Sequence, residues 1–137
     1  PQPKFVIFAH HATYDTLHQV ATLGLTAAAM GKDVIVILLF WTIKKLAEGK
    51  IDQVDFPPEY AASADEVTRL LKEKKVPKIS EMFQDAKHVG AFRLIACSAG
   101  LEYMGVDGAV VEKNVDEVMG LPAIIALTSD AETKLFI

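Results

Sequence analysis

Asp33-Val-Ile-Val-Ile-Leu-Leu-Phe40 is one acidic residue followed by an unbroken apolar run rich in β-branched side chains. Successive strand residues point to opposite faces, so a strand that is apolar at every position must be covered on both. That is the condition of a central strand in a parallel sheet. The same texture recurs on either side. Lys4 to Ala9 (KFVIFA) reads as a first strand, Phe92 to Cys97 as a third, Val115 to Met119 as a fourth and Thr133 to Ile137 as a closing one.

Between the strands the apolar period lengthens to that of a helix. Asp15 is the expected N-cap of a helix to Met30, with Leu17, Val20, Ala21, Leu25 and Ala28 on one face and Gly31 as the stop. A short helix through Leu46 ends near Gly49, another runs from Asp65 to about Lys74, and Pro77 opens one with Ile79, Met82, Phe83 and Ala86 on one face, closing near Gly90. Ala99 to Met104 and Pro122 to Asp130 complete the helices. Five β runs alternating with helices predict one α/β domain over residues 1–137: a five-stranded parallel sheet between two helical layers. Residues 50 to 64 stand apart, because Pro57-Pro58 can continue neither helix nor central strand. So long a connection reads either as a lid or interface segment or as a surface excursion.

Bulk properties narrow the function. A net charge of -4 leaves no basic field, so nucleic acid and anionic membranes are poor partners. No apolar run is long enough to span a bilayer, and no charged-then-apolar export signal opens the chain, so the expectation is a cytoplasmic protein without membrane insertion. The sequence starts at Pro1 rather than Met, which anticipates processing or residues upstream. A hydrophobic fraction of 51% predicts that further apolar surface is buried between subunits.

Ligands of parallel α/β sheets gather at the carboxyl ends of the strands. Those ends carry His10 and His11, then Trp41 and Thr42, then Cys97 with Ser98 and Gly100, then Gly120. HHATYD stands after the first strand where a dinucleotide fingerprint would read GxGxxG, so nucleotide binding lacks its signature. The four histidines show no metal-ligand spacing, and no metal or organic cofactor is expected. Cys97 is the one cysteine, so no internal disulfide forms, and it lies where a strand gives way to a helix. Unpaired amides and the helix dipole favour a thiolate there. The competing reading of Cys97 is a small buried hydrophobe, which is what most free cysteines are. Trp41 reads as a pocket wall or as core and interface; His10 and His11 read as proton donors or as loop residues.

Three blocks carry a resemblance: AAAMGKDVIVILLFW (Ala27 to Trp41), KEKKVPKISEMFQDAKHVGAFRLIACSAGLEYMGV (Lys72 to Val106) and TKLFI (Thr133 to Ile137). Together they resemble the DsrE/DsrF-like family over nearly the whole chain, most specifically in the segment from Cys97 to Met104-Gly105. The resemblance implies a flavodoxin-like α/β/α domain with strand order 4-3-2-1-5, assembled as a homo-oligomer such as a trimer or hexamer. It also implies a sulfur carrier or sulfurtransferase subunit with Cys97 as the sulfur-bearing residue. Donors and acceptors would be rhodanese-type or other thiol carriers, or thiosulfate and related sulfanes as donors. On this reading the amides of Ser98 to Gly100 steady the sulfur anion and Trp41 shields it, with His10, His11, Thr42 and Gly120 in the surrounding pocket. The chain departs from the family pattern with Thr42 after the aromatic pair, with Met119-Gly120 after the fourth strand, and with no methionine in residues 50 to 64. The alternative from another class is a non-catalytic module that binds a small ligand or serves assembly.

Overall fold

A computed structural model describes residues Pro1–Ile137. Strand β1 (Lys4–Ala9) leads to helix α1 (Tyr14–Ala29), then β2 (Asp33–Leu38), α2 (Trp41–Ala47), a 3₁₀ segment at Pro58–Ser63, α3 (Ala64–Glu73) and α4 (Ile79–Val89). The second half runs β3 (Ala91–Cys97), α5 (Ser98–Tyr103), α6 (Gly108–Asn114), β4 (Glu117–Met119), α7 (Leu121–Thr128) and β5 (Thr133–Phe136). The strands form one parallel sheet in the order β4-β3-β2-β1-β5. No helix is long and apolar enough to cross a membrane.

The register divides each strand between two unequal cores. Ile7, Ala9, Val34, Val36, Leu38, Phe92, Leu94 and Ala96 face one side and pack with α1 and α4 into a core of 21 buried residues. Their neighbours Val6, Ile35, Ile37, Ile95 and Cys97 face the other side, where only six buried residues cluster, with Ile124 of α7 as the helical member. Since β4 and β5 are opposite edges of the sheet, the chain through α7 spans its full width. That lone short helix leaves the second face thinly covered. Ile125 is 65% exposed and Phe136 74%, the latter stacked on Phe8 with ring centroids 4.7 Å apart.

Glycine is required where backbones close in. A Cβ on Gly90, just after α4, would lie 2.5 Å from the carbonyl oxygen of Ala28. That contact is with backbone, which cannot yield as a side chain can.

Several boundaries differ from those read in the sequence. Asp15 does not cap α1; Thr13 holds the N-cap position, and the amide of Tyr14 donates to the carbonyl and carboxylate oxygens of Asp55. A residue 41 positions away thus caps the helix, which no local pattern could announce. β2 stops at Leu38, and Phe40 turns the chain into α2 with φ 49° and ψ -109°. The segment Val115–Met119 keeps only its last three residues as strand, and the preceding α6 carried no sequence expectation.

Residues 50 to 57 are held down rather than loose. Lys45, buried in α2, donates to the carbonyl oxygens of Ala12 and Gln53 and to the carboxylate of Asp55 at 2.8, 3.3 and 2.8 Å. All three ammonium protons are used, so the charge is both paired and hydrogen-bonded in its burial.

Candidate functional site

Cys97 is the last residue of β3 and the N-cap residue of α5, with extended backbone (φ -72°, ψ 123°). The apolar strand brings it to the carboxyl edge of the sheet, and the small residues Ser98, Ala99 and Gly100 let the chain turn directly into a helix. Its side chain shares the parity of Ile95 and so belongs to the second face, where it is 3% exposed among Ile37, Ile95 and Ile124. Met119 is its register partner on β4.

Gly100 and Gly120 shape this corner. A Cβ on Gly100 would come 2.5 Å from Cδ1 of Ile43, 3.6 Å from the Phe40 nitrogen and 3.9 Å from Cβ of Cys97. A larger residue there would have to displace the Ile43 side chain where α5 meets α2. Gly120 lies beside Ser98, whose Oγ would be 3.7 Å from a Cβ at that position. Cys97, Ser98, Gly100 and Gly120 therefore lie together at the carboxyl ends of β3 and β4.

An aromatic rim stands near the same strand ends. Phe40 holds a positive φ that residues with a Cβ seldom adopt, and its exposed ring lies 6.5 Å from that of Tyr103. Trp41 opens α2 with 53% of its surface exposed and Lys44 Nζ 6.0 Å from its ring centre. Of these three aromatic residues, the sequence placed Trp41 alone in the candidate pocket. Phe40 read as the end of a strand, and nothing local foretold its left-handed turn.

The remaining candidates fall elsewhere. His11 and Trp41 line a cleft of about 400 Å³ with Thr13, Thr16, Pro57 and Pro58, and Cys97 does not border it. The proline pair of the long connection forms a wall of this cleft. His10 is half-buried, its amide donates to Ile137 at 2.9 Å, and its ring is 4.1 Å from that of His11. Thr42, expected at the pocket, is fully buried. Its hydroxyl donates to the carbonyl oxygen of Ala9 at 2.8 Å and accepts from the amide of Leu39 at 3.0 Å, so it ties β1 to the end of β2.

Two titrations are shifted, those of Tyr14 and Asp130. Burial, and then the charge on Asp52, push the Tyr14 phenol above its usual value. The hydrogen bond from Lys4 holds the Asp130 carboxyl below the usual carboxylate range, and Lys4 also donates to Leu127 in the last turn of α7. No three His, Cys, Asp or Glu side chains converge in a way that would hold a metal ion.

No family model matches the sequence, and no curated protein is significantly similar to it. Solved structures do share the architecture. The ychN protein from E. coli superposes with a TM-score of 0.63 at 16% identity, covering 100% of both chains. BT1422 from Bacteroides thetaiotaomicron, a conserved protein of unknown function, gives 0.62 at 18% identity, over 98% of this chain and 95% of its own. MTH1491 from Methanobacterium thermoautotrophicum, also of unknown function, gives 0.59 at 14% identity, over 99% and 100%. Likeness at these identities establishes a common fold, that of small proteins built around the same α/β sheet.

Proposed function

We propose that this chain is a DsrE/DsrF-like sulfur carrier or sulfurtransferase subunit that works through Cys97. The observation that carries the reading is the position of the thiol: a single cysteine ending β3, serving as N-cap residue of α5, at the carboxyl edge of a parallel sheet. Its chemistry needs one thiolate. Cys97 attacks the terminal sulfur of a donor persulfide, R–S–SH; the donor S–S bond breaks, a new S–S bond forms on Cys97, and R–S⁻ departs. An acceptor thiolate then takes the terminal sulfur and returns Cys97 as thiolate, with no net oxidation. Tetrathionate would load it likewise, leaving a thiosulfonate on sulfur and releasing thiosulfate.

At 3% exposure, Sγ meets a donor only when a neighbour moves aside, so loading is gated and slower than at an open thiol. The partners are rhodanese-type or other thiol carriers in the cytoplasm. Ile125 and Phe136 on the thinly covered second face suit burial against further copies, in a homo-oligomer such as a trimer or hexamer. The test is intact mass after polysulfide or tetrathionate treatment. The expected result is a sulfur-sized or thiosulfonate-sized gain confined to the wild type, absent from Cys97→Ala, and transferable to an acceptor thiol. Absence of any adduct, together with alkylation only on unfolding, would overturn the reading.

The separate cleft at His11 and Trp41 favours a second reading, a non-catalytic module holding a small ligand. It requires that Cys97→Ala leave ligand binding and assembly intact.

A further inference from the structure

A further cleft lies away from both Cys97 and the His11–Trp41 cleft. It opens between α2, α4 and α6, encloses about 430 Å³, and reaches down to Leu94 in the middle of β3. That volume suits a small organic molecule. Its floor is apolar and preformed: Ile51, Phe83 and Leu94 are buried core residues, and Val110 of α6 closes one side.

Charge at the rim is unbalanced. Lys87 borders the cleft, but its ammonium is met by Asp116 at 2.9 Å, and the other oxygen of that carboxylate accepts the Leu94 amide at 2.8 Å. The remaining charged groups in the lining are the carboxylates of Glu48 and Asp52. One oxygen of Glu48 faces the exposed Lys50 at 3.2 Å, and the other has no partner. Asp52 accepts the Ser80 amide at 2.9 Å and the Ser80 hydroxyl, which uses about half of a carboxylate's acceptor sites. An apolar floor beneath two incompletely satisfied carboxylates is complementary to a cation with a hydrophobic body.

We propose that the α2–α4–α6 cleft is a binding site for a small organic cation, with the ammonium at Glu48 and Asp52 and the apolar body on Ile51, Phe83, Leu94 and Val110. The site is independent of sulfur carriage, and its fate does not depend on that of Cys97.

The experiment uses three probes of like shape and different charge, 2-phenylethylammonium, 2-phenylethanol and 3-phenylpropionate, titrated into isotope-labelled protein while amide resonances are followed. The cation should shift the amides of Ile51, Asp52, Phe83 and Gln84 saturably, and bind roughly fivefold more tightly than the alcohol, the upper worth of a partly exposed charge pair. Glu48→Gln should remove most of that preference. Gln84→Trp, at an exposed position of α4 bordering the cleft, should fill the space and abolish the shifts without disturbing the core. Equal binding of all three probes, tighter binding of the acid, or no saturable shift at these amides would overturn the proposal. So would shifts there that follow protein concentration instead of ligand, which would make the cleft an interface between copies.

Discussion

The hydroxyl of Thr42 reaches back from the first turn of α2 to the carbonyl oxygen of Ala9, 2.8 Å away at the end of β1. The same Ala9 oxygen accepts the amide of Leu39, and Thr42 Oγ1 accepts that amide as well. Thr42→Val keeps the shape and deletes these bonds in a fully buried setting, and should cost about 1–3 kcal/mol. Thr42→Ser retains the hydroxyl and should cost less. Urea midpoints of the two variants check the order; a larger loss in Thr42→Ser than in Thr42→Val would show that packing of the methyl group outweighs the hydroxyl bonds here.

Gly100 and Ile43 form a second testable pair. Gly100→Ala pushes a methyl group onto Cδ1 of Ile43, a fully buried side chain, and should destabilise by about 1–3 kcal/mol. Ile43→Val removes that Cδ1, at about 0.5–1.5 kcal/mol by itself. The double variant should lose less than the sum of the two single losses. A double-mutant cycle by denaturant titration measures the coupling, and strict additivity would refute the contact.

Lys45→Met should free the connection after α2. It removes the ammonium that joins Ala12, Gln53 and Asp55, and leaves two carbonyls and a half-exposed carboxylate without it. The expected loss is about 1–3 kcal/mol, below that of a wholly buried pair because water reaches Asp55. Hydrogen exchange at the Tyr14 amide, which donates to Asp55, should accelerate more than exchange in β2. Uniform acceleration would indicate global destabilisation only.

Alkaline pH should weaken the fold through Tyr14. Its folded pKa lies above the ordinary 10.0, so the native state holds the phenolic proton more tightly than the unfolded chain does. The stability tied to that proton is fully present below the unfolded value and is lost as pH rises through the folded one. Tyr14→Phe should therefore lose less stability than the wild type between about pH 9 and about pH 11, read from denaturant midpoints across the range. Parallel curves would place the alkaline transition on other groups.

What could be read from the chain and what could not separate along physical lines. Strands β1, β2 and β3 were legible because burial on both faces demands continuous apolar runs, and Gly31, at φ 85°, marked the end of α1 through local backbone chemistry. Helix α6 escaped, being seven residues long with one buried side chain, Val111, and started by a local cap at Asp107. Thr42 and Asp55 escaped for the opposite reason, since their partners lie 33 and 41 positions away.

The sequence by itself determined that Cys97 ends a strand and begins a helix, because that transition is written in consecutive residues. Only the tertiary structure decided that its sulfur is buried. Register gives it the parity of Ile95, and α7, crossing from one edge strand to the other, places Ile124 in the same cluster. Likewise His11, Trp41 and Cys97 all lie at strand ends by sequence, yet the fold sets the first two in a cleft that the third does not border. Proximity along a strand end is a local property, whereas a shared cavity depends on which long-range segments, here Pro57-Pro58 and α7, close over each end.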